Sequence, residues 1–144
     1  MSAAAPHFVA LDWNGTMVPF FGLPLFAGVV ATLERLRAAS IPLIVVSHAT
    51  QAQIEAEVHR VGLSFDQVFG CEDKAEILSD LRVQYGPGVL LGDHPSDGRA
   101  ASEAGIGFLQ AALEGQSLQA GADSLFRAWN EVADLLLVPS ADLS

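Results

Sequence analysis

The stretch from Phe8 to Thr16 constrains the fold more than any other. Phe8-Val9-Ala10-Leu11 is an unbroken apolar run of strand length, and it ends on Asp12, with Asn14-Gly15-Thr16 turning straight after it. Only a strand buried on both faces needs apolar side chains without alternation, which points to the interior of a parallel sheet. An acid at the carboxyl end of such a strand lies in the crevice where open α/β sheets bind their ligands. Taken alone, the stretch is equally a strand followed by an ordinary Asp-x-Asn-Gly turn. What other strand ends carry therefore matters.

Two further runs have the same design. Ile41-Pro42-Leu43-Ile44-Val45-Val46 ends on the hydroxyl of Ser47, and Val89-Leu90-Leu91-Gly92 ends on Asp93, with Asp97 four residues on. Between them Lys74 opens a helical pattern. Helices alternate with the strands. Phe26, Val29, Val30, Leu33 and Leu36 recur at helical spacing over 26–39. Thr50 with Gln53 has the form of a capping box for a helix whose buried face is Ile54, Val58 and Val61 and whose end is Gly62. Gln67-Val68-Phe69 predicts a short third strand. Asp73 and Glu76 start a helix that continues through Ile77, Leu78, Leu81 and Tyr85 to Gly86. Ser96 is the expected cap of a short helix ending near Gly105, with a fifth strand at Ile106 to Leu109. Asp123 is the expected cap of a last helix presenting Phe126, Trp129, Val132 and Leu136, with a frayed tail after Val138. Strands alternating with helices give a parallel sheet covered on both sides.

Composition narrows the function. The chain has 144 residues, enough for one domain with a sizeable core, and no internal repeat or interdomain linker divides it. Seven Lys and Arg against 17 Asp and Glu give a formal charge of −10, which argues against nucleic-acid binding through a basic surface. The single cysteine, Cys71, suits a reducing compartment and reads as a buried, inert thiol. Met1 to His7 has neither basic residues nor a long apolar core, so no ordinary signal peptide is expected and the expected location is cytoplasmic. Met17 to Leu33 is uncharged and nearly of membrane-spanning length. Pro19, Gly22, Pro24 and Gly28 break it, so no membrane span is expected.

Acid, hydroxyl, lysine and acid pair, in this order, resemble the four motifs of the haloacid dehalogenase superfamily. Asp12-Trp13-Asn14-Gly15-Thr16 stands for its Asp-x-Asp-Gly-Thr, Ser47 for its second motif, Lys74 for its third, and Gly92-Asp93-His94-Pro95-Ser96-Asp97 for its fourth. The resemblance covers about residues 8–107. It implies a three-layer Rossmann-like α/β fold, with a five-stranded parallel sheet in the order 5-4-1-2-3. The gaps between motifs leave no room for a large cap domain. The loop Met17 to Leu25 would follow the first strand as a flap, its Phe20, Phe21 and Leu23 packing on the protein itself or forming a lid wall or partner patch.

The resemblance also implies a chemistry, that of a phosphatase. Asp12 would be the nucleophile, forming an aspartyl-phosphate and so splitting one hard step into two. Ser47 would donate to the phosphate with His48 beside it, and Lys74 would neutralise both phosphate and nucleophile. Mg2+ would be held by Asp12, the backbone carbonyl of Asn14 and Asp93. Asp97 would orient Lys74 or a metal-bound water. Asn14 departs from the family pattern, because an amide cannot transfer the protons that the usual aspartate does. The implied enzyme is a slow phosphatase or one suited to good leaving groups, with a non-catalytic binding module as the alternative. His48 and His94 each follow a motif residue, and are either proton donors or local hydrogen-bonding groups. The expected partner is a phosphorylated substrate at an open site. Self-association through the Phe20-Phe21 loop would bury that loop's apolar surface.

Overall fold

The computed structural model describes residues 5–137. In chain order the elements are β1 (Val9–Leu11), α1 (Val29–Ala38), β2 (Leu43–Ser47), α2 (Gln51–Val61), β3 (Gln67–Gly70), α3 (Lys74–Tyr85), β4 (Val89–Gly92), α4 (Pro95–Ala104), β5 (Gly107–Ala111), β6 (Ser124–Phe126), a 3-10 turn (Trp129–Glu131) and α5 (Val132–Leu137). All six strands are parallel, in the order β3-β2-β1-β4-β5-β6. The expected order of five strands is present, and β6 extends it at the β5 edge.

The buried strands explain the unbroken apolar runs. Successive side chains on a strand point to opposite faces. Val9 and Leu11 accordingly join a core layer with Leu33 of α1, Ile54 of α2 and Val132 of α5. Phe8 and Ala10 join a second layer with Leu78 and Leu81 of α3 and Ala100, Ala101 and Ala104 of α4. All of β1 and β2 is buried. Each large aliphatic side chain so buried contributes roughly 1.5–3 kcal/mol. These two layers hold the carboxyl ends of β1 and β4 side by side, through the pairs Val9–Val89, Ala10–Leu90 and Leu11–Leu91. Helices leave the two strands toward opposite faces, which opens the crevice between them.

Several expectations need correction. Ser124 to Phe126 forms β6, not the start of the last helix. Asp123 caps no helix; its Oδ2 accepts from the Phe108 N–H on β5 at 2.9 Å. Phe126 and Trp129 are buried, three residues apart as on a helix, but one closes a strand and the other opens a 3-10 turn. Trp129 ties the carboxyl-terminal segment to the front of the molecule: its Nε1–H donates to the Thr16 carbonyl at 2.8 Å, and its own carbonyl accepts from Thr32 Oγ1 at 2.9 Å. The first helix begins at Val29 rather than Phe26, because Gly28 turns the backbone with φ of 89°. β5 runs from Gly107 to Ala111, one residue later than its expected start. α4 is capped by His94, not Ser96: His94 Nδ1 accepts from the Ser96 N–H at 3.1 Å, and Asp97 Oδ2 accepts from the His94 N–H at 3.2 Å. Thr50 caps α2 as expected, its hydroxyl accepting from the Gln53 N–H. Asp73 caps α3, accepting from Ala75 and Glu76. Cys71 is only half-buried, although that burial does push its thiol pKa up. The tail after Val138 lies outside the described residues.

The connection from β1 to α1 is an irregular flap, and no cap domain is inserted among the described residues. Glu57 of α2 fastens this flap. Its carboxylate accepts from Trp13 Nε1 at 3.0 Å, from the Gly22 N–H at 3.3 Å, and from both Nε and Nη2 of Arg60 at 2.8 Å. Arg60 Nη2 also donates to the Leu23 carbonyl at 2.9 Å. Phe20, 59% exposed, is the outermost residue of the flap's aromatic pair. No helix among the described residues is long and apolar enough to cross a membrane.

Candidate active site

The crevice at the carboxyl ends of β1 and β4 gathers the residues that the sequence marks out. Asp12 leaves β1 with its N–H bonded to the Leu91 carbonyl of β4 at 2.9 Å, which fixes its backbone. Lys74 is the first residue of α3 and is almost wholly buried. Its Nζ donates to Asp12 Oδ1 and to Asp97 Oδ1, each at 2.7 Å. Asp12 Oδ2 accepts from Thr16 Oγ1 at 3.3 Å, so the turn that follows the strand orients the carboxylate. Asp97 is buried in the first turn of α4, held by Lys74 and by the His94 N–H.

Asp93 sits directly over Gly15. A Cβ on Gly15 would lie 2.0 Å from Asp93 Oδ2, and Gly15 has φ of 78°, so glycine is required twice over. One oxygen from each of Asp12, Asp93 and Asp97 lies within 4.8 Å of the others. Three carboxylates against one ammonium leave an excess of two negative charges when all are ionised. The crowding shows in the acid strengths. Burial, then hydrogen bonding and charge from Asp12, push Asp93 up to about 7. Burial and the Asp12 charge also raise Asp97, against the opposing pull of Lys74. For Lys74 burial acts against the ammonium, but Asp12 and Asp97 outweigh it and the pKa rises. A divalent cation fits this donor set. It would cancel the two-charge excess of the ionised cluster and favour the charged form of Asp93, using hard oxygen ligands of the kind magnesium prefers.

The crevice encloses about 350 Å³ and is lined by Asp12, Asn14, Lys74, Asp93 and Asp97, together with His48, His94 and Ser96. A groove of about 400 Å³ at the end of α3, by Arg82 and Val83, has no carboxylate in its lining. Chemistry, not size, picks out the site. Among the predicted residues, Ser47 alone stands back from the lining: it closes β2 next to β1 and is buried. Asn14 Oδ1 is buried without a hydrogen-bond partner. Sequence reasoning gave no role to Thr16, although it lies within the first motif. Nor did it find Gln119, whose Nε2 donates to the Asp93 carbonyl at 2.8 Å from a polar loop with no motif.

Fold and site together define a parallel α/β chain with an acid–lysine cluster at the sheet's switch point. No family model matches the sequence, and no curated protein matches it. Solved structures do share the fold. A haloacid dehalogenase-superfamily hydrolase from Ehrlichia chaffeensis superposes with a TM-score of 0.77 at 15% identity, over 94% of this chain and 98% of that one. A family hydrolase from Deinococcus radiodurans, with bound phosphate and sodium, gives 0.78 at 14% identity, over 93% and 96%. The D,D-heptose 1,7-bisphosphate phosphatase of B. bronchiseptica, in complex with magnesium and phosphate, gives 0.70 at 17% identity, over 90% and 97%. The fold is therefore that of the haloacid dehalogenase-superfamily hydrolases.

Proposed function

We propose that this chain is a magnesium-dependent phosphate-ester hydrolase that works through an aspartyl-phosphate on Asp12. The observation that carries the reading is the buried bridge Asp12–Lys74–Asp97 beside Asp93, inside an open crevice. Asp12 is held by Lys74 and Thr16. An attacking carboxylate in fixed orientation needs little further positioning, and phosphoryl transfer depends chiefly on positioning and charge neutralisation. Lys74 offsets the charge of Asp12 and of the incoming phosphate. Ser47 and His48 are assigned to binding the phosphate. Asp12, the Asn14 carbonyl and Asp93 would hold magnesium, which when bound supplies positive charge at the phosphate oxygens. Asp97 keeps Lys74 in place. Two structural neighbours lend support: the Deinococcus radiodurans hydrolase holds phosphate and sodium, and the B. bronchiseptica phosphatase holds magnesium and phosphate.

The test is turnover across a panel of phosphate esters, with magnesium and with chelator. Magnesium-dependent hydrolysis abolished by Asp12→Asn is the expected result. No hydrolysis of any ester would overturn the reading. It would favour a binding module instead, the alternative that Asn14 motivates.

A further inference from the structure

We propose that His48 carries the protons that Asn14 cannot. The inference rests on the phosphatase reading and supplies the step that this reading leaves open. Two imidazoles line the crevice, and the structure wires them in opposite senses. His48 Nδ1 lies 3.2 Å from the Cys71 carbonyl. A carbonyl only accepts, so Nδ1 carries the hydrogen, and Nε2 is the nitrogen left for the crevice. That bond survives in both the neutral ring and the imidazolium, so His48 is free to take up and release a proton at Nε2. His94 is wired the other way. Its Nδ1 accepts from the Ser96 N–H at 3.1 Å in the cap of α4 and lies 2.9 Å from Ser96 Oγ. A proton taken up at Nδ1 would cost His94 the Ser96 N–H bond, a cost that His48 does not bear, so His48 is the better placed of the two to cycle a proton.

Both half-reactions then balance. As an Asp12 oxygen bonds to phosphorus, the ester P–O bond breaks and the departing oxygen takes the Nε2 proton of His48, leaving as the alcohol. Neutral His48 next removes a proton from water as the water oxygen attacks phosphorus. The Asp12–phosphorus bond breaks, and Asp12 returns as carboxylate, phosphate departs and His48 is again protonated. His48 is exposed, so water reaches it without a conformational change.

The experiment compares His48→Ala with the native chain on an alkyl phosphate, whose leaving group needs a proton, and on nitrophenyl phosphate, whose leaving group does not. Alkyl phosphate turnover should fall about 100-fold, within the usual range for a positioned acid–base. Nitrophenyl phosphate should give a burst of about one nitrophenolate per chain and then slow release, because the second half-reaction still lacks its base. Free imidazole should restore at least roughly ten-fold of the lost rate, which no structural role predicts. Unchanged alkyl turnover overturns the proposal. So does a loss confined to KM and to inhibition by inorganic phosphate without imidazole rescue, which would leave His48 a phosphate-binding group only. Turnover that depends on Asp12 but not on His48 overturns this proposal alone. A native chain with no Asp12-dependent turnover overturns the phosphatase reading and this proposal together.

Discussion

At the scale of single residues, Asn14 is the informative departure. Its Oδ1 is buried and unpartnered, so a carboxyl in its place would fit the same space. Asn14→Asp is nearly isosteric, and the acids around it would favour its protonated form. If His48 already moves the protons, the new carboxyl is redundant and turnover should change less than about three-fold in the native background. In the His48→Ala background the same change should recover about ten-fold or more on alkyl phosphates. Such non-additivity marks two groups that share one task. Additive effects in the four-variant cycle would mean that Asn14 and His48 act in separate steps.

At the scale of elements, the flap and α2 behave as one unit because Glu57 joins them. Arg60 above all, with Trp13 and Gly22 also contributing against the cost of burial, holds the Glu57 carboxyl down to about 2 from 4.5. A carboxyl whose folded pKa is depressed stabilises the fold above its unfolded pKa and loses that contribution as the pH falls through the folded value. Glu57→Ala leaves the buried Trp13 N–H and the Gly22 N–H without their acceptor, at a cost of about 2–3 kcal/mol. Urea unfolding should show that deficit at pH 7, and a smaller one as the pH drops from 4.5 toward 2. An equal deficit at pH 7 and at pH 3 would mean that Glu57 acts through packing alone. This unit was not legible in the sequence. Glu57 sits among polar helix residues, and its partner Trp13 is 44 residues away. Strands β1, β2 and β4 were legible because burial on both faces leaves an unbroken apolar run. β6 was not, because three residues after a polar loop are too few to show a period, and the Phe126–Trp129 interval imitates a helix. The His94 cap was missed because histidine is not among the residues that usually cap helices. The acid–lysine cluster was legible because each member stands at an element end, where residue type is not dictated by packing.

At the scale of the whole molecule, the site is a local strain on the fold. Crowding three carboxylates at one switch point costs stability, so a ligand that relieves the crowding should stabilise the entire domain. Magnesium at 100 times its dissociation constant would add about 2.7 kcal/mol. For a chain of this length that is a rise of roughly 5–10 °C in melting temperature. Calorimetric scans with and without magnesium should show this rise in the native chain and lose most of it in Asp93→Ala. A rise of equal size in that variant would place the cation elsewhere.

The glycines beneath the acids have a consequence for how this protein tolerates change. Asp93 rests on Gly15, and Asp97 rests on Gly92, where an added Cβ would lie 2.4 Å from its Oδ2. Each carboxylate occupies the space of a missing side chain. In a saturation scan for the proposed activity, positions 15 and 92 should therefore be as intolerant as 12 and 74, although neither glycine has a side chain to take part in the proposed reaction. Gly15→Ala and Gly92→Ala chains should fold and still fail, with calorimetry reading weakened magnesium binding at least in the first. A survey that ranked residues by intolerance alone would thus report an active site larger than its chemistry, with two silent members whose contribution is the room they leave.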